Sequence, residues 1–345
     1  MIPIQNIYYM LSYAFQVLNE QGYKNIATEQ FHNTAELMAA ILEKGIAIQL
    51  KRGLGKEYIP QTEALSSLRG KIDIAESIKT QSMLRKQLIC TYDEFSVNSI
   101  MNQIIKSTVE LLLRSNISKQ RKKNLRKLMV YFSEVDFIDS YTVNWNVQYN
   151  RNNQTYRMLI SICYLVVKGL LQTQSNGHTK LMDFLDEQRM CRLYEKFILE
   201  YYRKEFKNQI TANASQIPWQ LDNEENSMLP VMQSDIMLQS GEKVLIIDAK
   251  YYEHSTQVQF DKHTLHSGNL YQIFTYVKNK EYELREKDHT VSGMLLYAKT
   301  DEEIYPNNVY QMSGNQIAVR TLDLNLPFDE IASQLNTIAK THFDL

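Results

Sequence analysis

The stretch SDIMLQSGEKVLIIDAKYY, from Ser234 to Tyr252, decides the fold of the second half of this chain. Its two apolar segments are joined by a short turn, which is the pattern of a β-hairpin. Gly241 and Glu242 suit a two-residue type II′ turn, because the first position of that turn needs a positive φ that glycine adopts freely. The turn pairs Ser240 with Lys243 and thereby fixes the register of both strands.

This register brings three charged residues of the hairpin onto one patch. Asp235 falls opposite Asp248, and facing residues of paired strands have Cβ atoms about 5 Å apart. Because side chains alternate between the two faces of a strand, Asp248 and Lys250 share one face and Ala249 points to the other. Two facing carboxylates repel each other, and a bound Mg²⁺ or Mn²⁺ would convert that repulsion into affinity. The hairpin therefore predicts a metal site with a lysine beside it.

A purely structural interpretation of the same charges competes with the metal site. In that interpretation Asp235 and Asp248 lie at frayed strand ends, and Lys250 lies in solvent. The segment VLIIDAKYY argues against it, because the segment is apolar on both faces before its aspartate. Such a segment is typical of a buried central strand, where a charge needs a partner.

Composition limits the class of protein. The chain has 345 residues, 44% of them hydrophobic, which predicts a well-packed core and more than one domain. The formal net charge of -1 excludes a general basic field, so any contact with nucleic acid is local or shared with a partner. The 3 cysteines lie far apart, which predicts a reducing, cytoplasmic setting. The longest apolar run, Met158 to Val167, is too short to span a bilayer, so no membrane contact is expected.

The order of periodic segments predicts an α+β protein. Helical spacing of apolar residues opens the chain and returns several times, whereas short alternating runs indicate strands. The polar segment TQSNGHTK, Thr173 to Lys180, has no periodicity and divides the chain. The predicted helices cover residues 2–21, 34–50 (with Asn33 or Thr34 as N-cap), 99–116, 118–135, 155–172, 184–206 and 267–280, and the predicted strands lie within 56–78, 140–150, 209–212, 231–252 and 291–300.

The hairpin residues carry a resemblance to a known superfamily. Asp235 followed by Asp248-Ala249-Lys250 resembles the PD-(D/E)xK nuclease signature, and Gln272 with Tyr276 resembles the Gln-x-x-x-Tyr helix that supports it. More narrowly, the chain resembles the McrC family, the nuclease subunit of the McrBC modification-dependent restriction system. The stretches that carry this resemblance occur in order along nearly the whole chain: IPIQNIYYMLSYAF, LRGKIDIAESI, DEFSVNSIMNQIIKST, MLPVMQSDIML, VLIIDAKYY and HSGNLYQIFTYV.

The resemblance implies a division of labour between two domains and a partner. Residues 176–345 are expected to form a PD-(D/E)xK-type α/β endonuclease domain with a central mixed sheet. Residues 1–175 are expected to form a mixed helix and strand domain that engages a McrB-like AAA+ GTPase hexamer and stimulates its GTPase. The partner would recognise methylated double-stranded DNA, and this chain would cut it. No Walker-type phosphate-binding motif occurs in the sequence, so the chain itself is not expected to bind a nucleotide.

The resemblance also implies a role for each site residue. Asp235 and Asp248, with the backbone carbonyl of Ala249, would hold Mg²⁺ or Mn²⁺. Lys250 would orient a water or stabilise negative charge on the phosphate, and Gln272 would hold Lys250 or that water in place. Ser234 stands where the motif has proline, a position that supplies no ligand.

Many members of the superfamily add a glutamate from the preceding helix, and three glutamates compete for that role here. Glu195 and Glu200 point about 140° apart on a helix, so one helix cannot direct both inward. Glu205 is the third candidate. We favour Glu195, with a solvated helix charge as the alternative interpretation.

Two further questions stay open at the level of sequence. A basic run on one predicted helix is favoured as a solvated face, with contact to DNA phosphates or an acidic partner as the alternative. The chain could also be a non-catalytic adaptor of an AAA+ protein, or a free-standing nuclease of the same fold. The basic run comprises Lys119, Arg121, Lys122, Lys123, Arg126 and Lys127.

Overall fold

The chain forms two compact units, one of which is discontinuous in sequence. The N-terminal unit is Thr28–Asp183, and the C-terminal unit combines Met1–Ala27 with Phe184–Leu345. The computed structural model describes residues 2–19, 23, 26, 29–139, 142–151, 153–174, 187–223, 228–252, 257–259, 262–299 and 305–345. Most of the predicted boundary segment, Thr173 to Lys180, lies outside the described residues.

The first helix belongs to the C-terminal unit, which corrects the expectation that residues 1–175 form one compact domain. Helix α1 (Ile4–Ala14) is fixed there by its polar and aromatic side chains. The amide of Asn6 donates hydrogen bonds of 2.8 Å to the carbonyls of Leu324 and Leu326. The ring of Tyr9 stacks on Phe328 with centroids 4.5 Å apart. These partners lie more than 300 residues away, so a local pattern could not place the helix.

The N-terminal unit contains long helices that pack on one another, and a small antiparallel sheet. Its helices are α2 (Thr34–Arg52), α3 (Ile74–Lys79), α4 (Ile100–Arg114), α5 (Lys119–Met129) and α6 (Tyr156–Gln174). Its strands β1 (Glu57–Leu65), β2 (Lys71–Asp73) and β3 (Leu88–Ser96) lie in the order β1-β3-β2. Helix α2 begins at the predicted cap, because the side chain of Asn33 accepts a 2.8 Å hydrogen bond from the backbone of Glu36.

Two segments of this unit differ from the strand predictions. Residues 74–79 form helix α3 instead of a strand, since Asp73 caps it by accepting a 2.9 Å hydrogen bond from the backbone of Glu76. The described part of the second segment, residues 142–150, forms no strand. Its side chains alternate in exposure, but no described strand pairs with it. Alternation alone does not make a strand when the ladder of hydrogen bonds is missing.

The C-terminal unit is built on a mixed six-stranded sheet in the order β12-β13-β11-β8-β7-β4. Strand β11 runs parallel to both β8 and β13, and the other pairs are antiparallel. This confirms the predicted α+β class and the mixed central sheet. The elements are α7 (Glu187–Glu205), β4 (Thr211–Asn213), β5 (Gln216–Ile217), β6 (Met232–Gln233), β7 (Ile236–Ser240), β8 (Lys243–Lys250), β9 (Gln257–Gln259), β10 (Lys262–Thr264), α8 (Ser267–Glu283), β11 (Thr290–Ala298), β12 (Asn308–Met312), β13 (Asn315–Leu322) and α9 (Phe328–Phe343).

The hairpin has the predicted register. Ser240 pairs with Lys243 and Ile236 with Ile247, so the next position along places Asp235 beside Asp248. Gly241 has a φ of 57° and the following residue has no positive φ, which matches the type II′ turn. Strand β8 is buried from its second to its seventh residue, as expected for a central strand.

Helix α8 lies unusually close to the sheet because β11 has a glycine beneath it. A Cβ on Gly293 would come within 2.8 Å of Ile273 and 2.9 Å of Val277. Ile273, Val277 and the adjacent sheet side chains form one buried apolar cluster. This packing brings the polar face of α8 over the ends of β8 and β11. In the described part of the chain, no helix is long and apolar enough to cross a membrane.

Candidate active site

The carboxyl end of β8 gathers the predicted site residues from four separate elements. Asp248 and Lys250 end that strand, and Asp235 precedes β7 beside it. Helix α8 supplies Gln272 and helix α7 supplies Glu195. Residues that are far apart in the sequence therefore meet at one end of the central strand.

Asp248 is a buried carboxylate with an incompletely satisfied oxygen. Its side chain is 1% exposed, and its Oδ2 lies 2.9 Å from Nζ of Lys250. That contact is an ion pair by distance, but no described group reaches this Oδ2 with hydrogen-bond geometry. Buried carboxylate oxygens normally have such a partner. The structural interpretation with frayed, solvated charges is therefore wrong for Asp248.

Asp235 is held against the strand that carries Asp248. Its Oδ2 accepts a 3.0 Å hydrogen bond from the backbone N–H of Ala249, in place of the next rung of the β7–β8 ladder. Burial raises the pKa of Asp235, and the negative charges of Asp248 and Glu195 raise it further. The carboxylate of Asp248 is thus close enough to oppose the ionisation of Asp235.

Lys250 is fixed between an acid and an amide. Its Nζ donates a 3.3 Å hydrogen bond to Oε1 of Gln272, and Nε2 of Gln272 donates a 2.9 Å bond to the hydroxyl of Tyr276. Burial by itself lowers the pKa of Lys250, but the adjacent Asp248 outweighs burial and the pKa is raised overall. The lysine therefore remains an ammonium ion directed at the carboxylates.

Of the three candidate glutamates on α7, only Glu195 interacts with this site. Burial raises its pKa, Lys250 lowers it and Asp248 raises it, so both groups act on this carboxylate. Its Oε1 also accepts a 3.1 Å hydrogen bond from Sγ of Cys191. The other two glutamates are engaged elsewhere: Glu200 with Arg203 at 2.7 Å, and Glu205 with the hydroxyl of Tyr13 at 2.9 Å.

The donor set fits a divalent cation bound through two carboxylates. Asp235 and Asp248 bring excess negative charge into a buried site, and one oxygen of Asp248 lacks a hydrogen-bond partner. A bound cation would compensate the negative charge and would give the unpartnered oxygen of Asp248 a partner. Within the described residues no three His, Cys, Asp or Glu side chains are grouped to hold a metal by themselves, so Glu195 does not complete a ready-made cage. Mg²⁺ commonly binds through one or two carboxylates and keeps water in its other positions.

Sequence reasoning missed a second polar group beside Lys250. Nδ2 of Asn269 donates a 2.9 Å hydrogen bond to the hydroxyl of Tyr297, and Oδ1 of Asn269 accepts a 3.4 Å bond from the hydroxyl of Tyr252. The spacing of Asn269 and Gln272 on one face of α8 was an available signal. The place of Tyr297 was not, because it depends on the parallel pairing of β11 with β8.

The basic run on α5 separates into two parts. Arg121 is surrounded by Glu29, Glu36 and Glu43, with its side chain 13% exposed. The solvated-face interpretation is therefore wrong for this residue. Among the described residues, no carboxylate forms an ion pair with the other five cations of the run, namely Lys119, Lys122, Lys123, Arg126 and Lys127.

Comparisons with known proteins agree on one family. A family model described as "McrBC 5-methylcytosine restriction system component" matches residues 5–298. The protein of Escherichia coli K12 described as "Type IV methyl-directed restriction enzyme EcoKMcrBC" is 30% identical over 342 residues, which are 97% of this chain and 96% of that protein. A chain in the refined half-complex from the tetradecameric assembly of Thermococcus gammatolerans McrB AAA+ hexamers with bound McrC has a TM-score of 0.49 and 18% identity, covering 97% of this chain and 76% of that one. A chain in the cryo-EM structure of the Thermococcus gammatolerans McrBC complex has a TM-score of 0.43 and 22% identity, covering 59% of each chain. On the family match and the Escherichia coli relative, this chain belongs to the family of McrBC 5-methylcytosine restriction system components.

Proposed function

We propose that this chain is the metal-dependent endonuclease subunit of a GTP-driven restriction complex, and that it hydrolyses phosphodiester bonds in methylated double-stranded DNA. The observation that carries the proposal is the geometry at the end of β8. Asp235 and Asp248 lie side by side at the end of a central strand, with the ammonium of Lys250 2.9 Å from Asp248. Two carboxylates and an ammonium in this arrangement suit phosphodiester hydrolysis, because the reaction builds negative charge on a phosphate. The name of the Escherichia coli relative supports a methyl-directed restriction enzyme.

The residues take distinct roles in this proposal. Asp235 and Asp248 would hold Mg²⁺ or Mn²⁺, with the carbonyl of Ala249 as a further ligand. When bound, such a metal acts as a Lewis acid and lowers the pKa of a coordinated water. Lys250 stabilises negative charge that develops on the phosphate, and Gln272 keeps its ammonium in place through the 3.3 Å hydrogen bond.

Glu195 joins the proposed site from helix α7. Its carboxylate interacts electrostatically with Asp248 and Lys250, and the Cys191 thiol donates to it. From this place Glu195 would orient water around the metal without being a required ligand. This role agrees with the lack of a three-member cluster among the described residues.

The N-terminal unit is proposed to engage a McrB-like AAA+ GTPase hexamer and to stimulate its GTPase. The support is a set of large apolar side chains that the unit leaves in solvent around its small sheet. Tyr58 is 72% exposed and its ring lies 5.0 Å from that of Phe95, which is also exposed. Ile74, Ile78 and Leu84 are exposed nearby in sequence. Exposed apolar surface is common at protein-binding sites, and it supports a partner contact on this unit. This chain is proposed to bind no nucleotide itself.

One cleavage experiment tests the proposal against its alternatives. Methylated plasmid is incubated with Mg²⁺ and the purified chain, with and without the AAA+ partner and GTP, and with Asp248→Asn in parallel. We expect double-strand breaks only with wild type, partner and GTP together. Cleavage by Asp248→Asn would overturn the site. Cleavage by the lone chain would favour a free-standing nuclease, and stimulated GTP hydrolysis without cleavage would favour a non-catalytic adaptor.

A further inference from the structure

Lys250 is surrounded by more than the acid and the amide already described. Asp248 lies two residues before Lys250, so both side chains start on the same face of β8, and Tyr252 lies two residues after Lys250, just beyond the end of the strand. Across the sheet, Tyr297 of β11 is its register partner. Lys250 is therefore flanked by two tyrosines, one just past the end of its own strand and one on the neighbouring strand.

Asn269 joins these two tyrosines. Its Nδ2 donates to the hydroxyl of Tyr297 at 2.9 Å, and its Oδ1 accepts from the hydroxyl of Tyr252 at 3.4 Å. The rings of the two tyrosines lie 6.2 Å apart. Tyr297 is fully buried and Asn269 is 8% exposed, so water does not readily replace these hydrogen bonds.

The same helix holds Lys250 directly. Asn269 and Gln272 are three residues apart on α8 and face the sheet together. Gln272 contacts Lys250 at the end of β8, and Asn269 contacts Tyr297 on the neighbouring strand β11. The two contacts lie at the same level of the sheet, because Lys250 and Tyr297 are paired. Any shift of α8 along the sheet would change both.

Apolar packing alone would not fix the position of α8 along the sheet. Gly293 lets Ile273 and Val277 approach β11 closely, which sets the distance between helix and sheet. Apolar contacts are non-directional, however, and they tolerate small sliding of a helix. The amide of Asn269 has one donor and one acceptor directed at different tyrosines, so it specifies a single position.

We propose that Asn269 is a positioning residue for Lys250, acting through the hydroxyls of Tyr252 and Tyr297. The inference rests on the proposed nuclease function for its kinetic consequence only. Loss of the Asn269 side chain frees both tyrosines and lets the start of α8 shift, which lengthens the Gln272 contact to Lys250. If the ammonium of Lys250 is displaced by about 1 Å, we expect turnover to fall about 10- to 100-fold without weaker DNA binding.

The first test measures Lys250 itself and needs no cleavage. The metal-free protein is treated with an amine-acylating reagent, and the rate of modification at Lys250 is followed by mass spectrometry. We expect faster modification of Lys250 in Asn269→Ala and Tyr297→Phe than in wild type, because the ammonium is less firmly held. Asn279→Ala is the matched control. This asparagine lies on the same helix but outside the site, and its side chain accepts a 2.8 Å hydrogen bond from the backbone N–H of Gln220. Equal Lys250 reactivity in all four proteins would overturn the proposal.

The second test separates positioning from general stability. Cleavage by wild type, Asn269→Ala, Gln272→Ala and the double variant is measured with Mg²⁺, partner and GTP. If both residues act through Lys250, the double variant loses little more kcat than the worse single variant, and KM for DNA is unchanged. Fully multiplicative losses would overturn the proposal. If Asn269→Ala fails to fold, Tyr252→Phe and Tyr297→Phe keep both rings and replace it. Absence of cleavage by wild type would count against the nuclease function, while Lys250 reactivity still decides the inference.

Discussion

Each unit of the molecule contains one cation among three carboxylates, and the two clusters differ in how the charges are satisfied. In the N-terminal unit Arg121 meets Glu29, Glu36 and Glu43. In the C-terminal unit Lys250 meets Asp248 and Asp235, and interacts with Glu195. The two clusters have the same formal charge, so composition does not distinguish them.

The Arg121 cluster is saturated with hydrogen bonds. The guanidinium donates to Glu43 at 2.9 Å and to Glu36 at 3.4 Å, and it also donates to the third glutamate. The remaining oxygens of Glu36 and Glu43 have their own donors, because Ser118 donates twice to Glu36 and Asn124 donates to Glu43 at 2.9 Å. A planar guanidinium with five N–H groups can serve several carboxylates at once.

The Lys250 cluster is left unsaturated. One oxygen of Asp248 lacks a hydrogen-bond partner among the described residues, and burial together with the neighbouring carboxylates raises the pKa of Asp235. An ammonium is a compact charge that cannot span several carboxylates as a guanidinium does. The contrast shows that buried charge alone does not identify a reactive site. The identifying feature is charge whose compensation is incomplete, since that leaves room for a cation and a substrate.

The largest effect should come from removing the unsaturated carboxylate. Asp248→Asn keeps the side-chain shape but loses the negative charge that the proposed metal needs. We expect cleavage to fall by about 10³-fold or more while the fold is kept. The rate is measured on methylated plasmid with partner, GTP and Mg²⁺, and folding by circular dichroism. Glu43→Gln is the matched change in the saturated cluster, and it should retain full cleavage. Equal loss in both variants would remove the distinction between the clusters.

The next largest effect should be on stability, and in the opposite cluster. Arg121→Met leaves Glu36 and Glu43 without their shared cation, and breaking a buried ion pair from one side costs about 3 kcal/mol of unfolding free energy. Lys250→Met should cost less, because burial and its neighbours already raise the pKa of Asp235, so this carboxyl can take up a proton instead of remaining an unpaired buried charge. Urea denaturation of both variants measures the difference. A larger loss for Lys250→Met than for Arg121→Met would contradict the comparison.

Sequence reasoning found the part of the site that is encoded locally. The hairpin register followed from the turn at Gly241, so Asp235 and Asp248 could be placed together from the sequence alone. Helical angles showed that Glu195 and Glu200 cannot both point inward, and Glu195 was favoured while its alternative stayed open. The nearest contacts of Lys250 within its own strand and with Gln272 were also accessible, because the motif names them.

The rest of the site depends on contacts between distant segments. Tyr297 stands beside Lys250 only because β11 pairs in parallel with β8, a pairing made across about 40 intervening residues that no short pattern specifies. Sequence reasoning missed two other features for the same reason. Helix α1 belongs to the C-terminal unit, and the described residues 142–150 form no strand. Each outcome depends on whether a distant segment of the chain supplies hydrogen bonds. Distant segments supply them for Tyr297 and α1, and no described strand supplies them for residues 142–150.

Metal binding should stabilise the unsaturated cluster specifically. With Mg²⁺ at about 100 times its dissociation constant, the linked gain in unfolding free energy is about 2.7 kcal/mol. We expect a higher unfolding midpoint for wild type and Arg121→Met, but no rise for Asp248→Asn. Differential scanning fluorimetry with MgCl₂ against NaCl of equal ionic strength measures the response. A rise of equal size in Asp248→Asn would place the stabilising ion outside the Asp235 and Asp248 pair.

The smallest effect concerns the carboxylate at the border of the site. Glu195→Gln removes a charge that acts on Asp248 and Lys250, and such outer contacts cost about 10-fold in metal affinity when lost. We expect the Mg²⁺ concentration for half-maximal cleavage to rise by this factor, with the maximal rate nearly kept. Glu200→Gln is the matched control on the same helix, since its carboxylate is bound to Arg203. A loss of maximal rate that excess Mg²⁺ does not restore would instead make Glu195 a direct participant in the chemistry. The two aspartates would then no longer be sufficient as the site's carboxylates, and the unsaturated cluster would require all three.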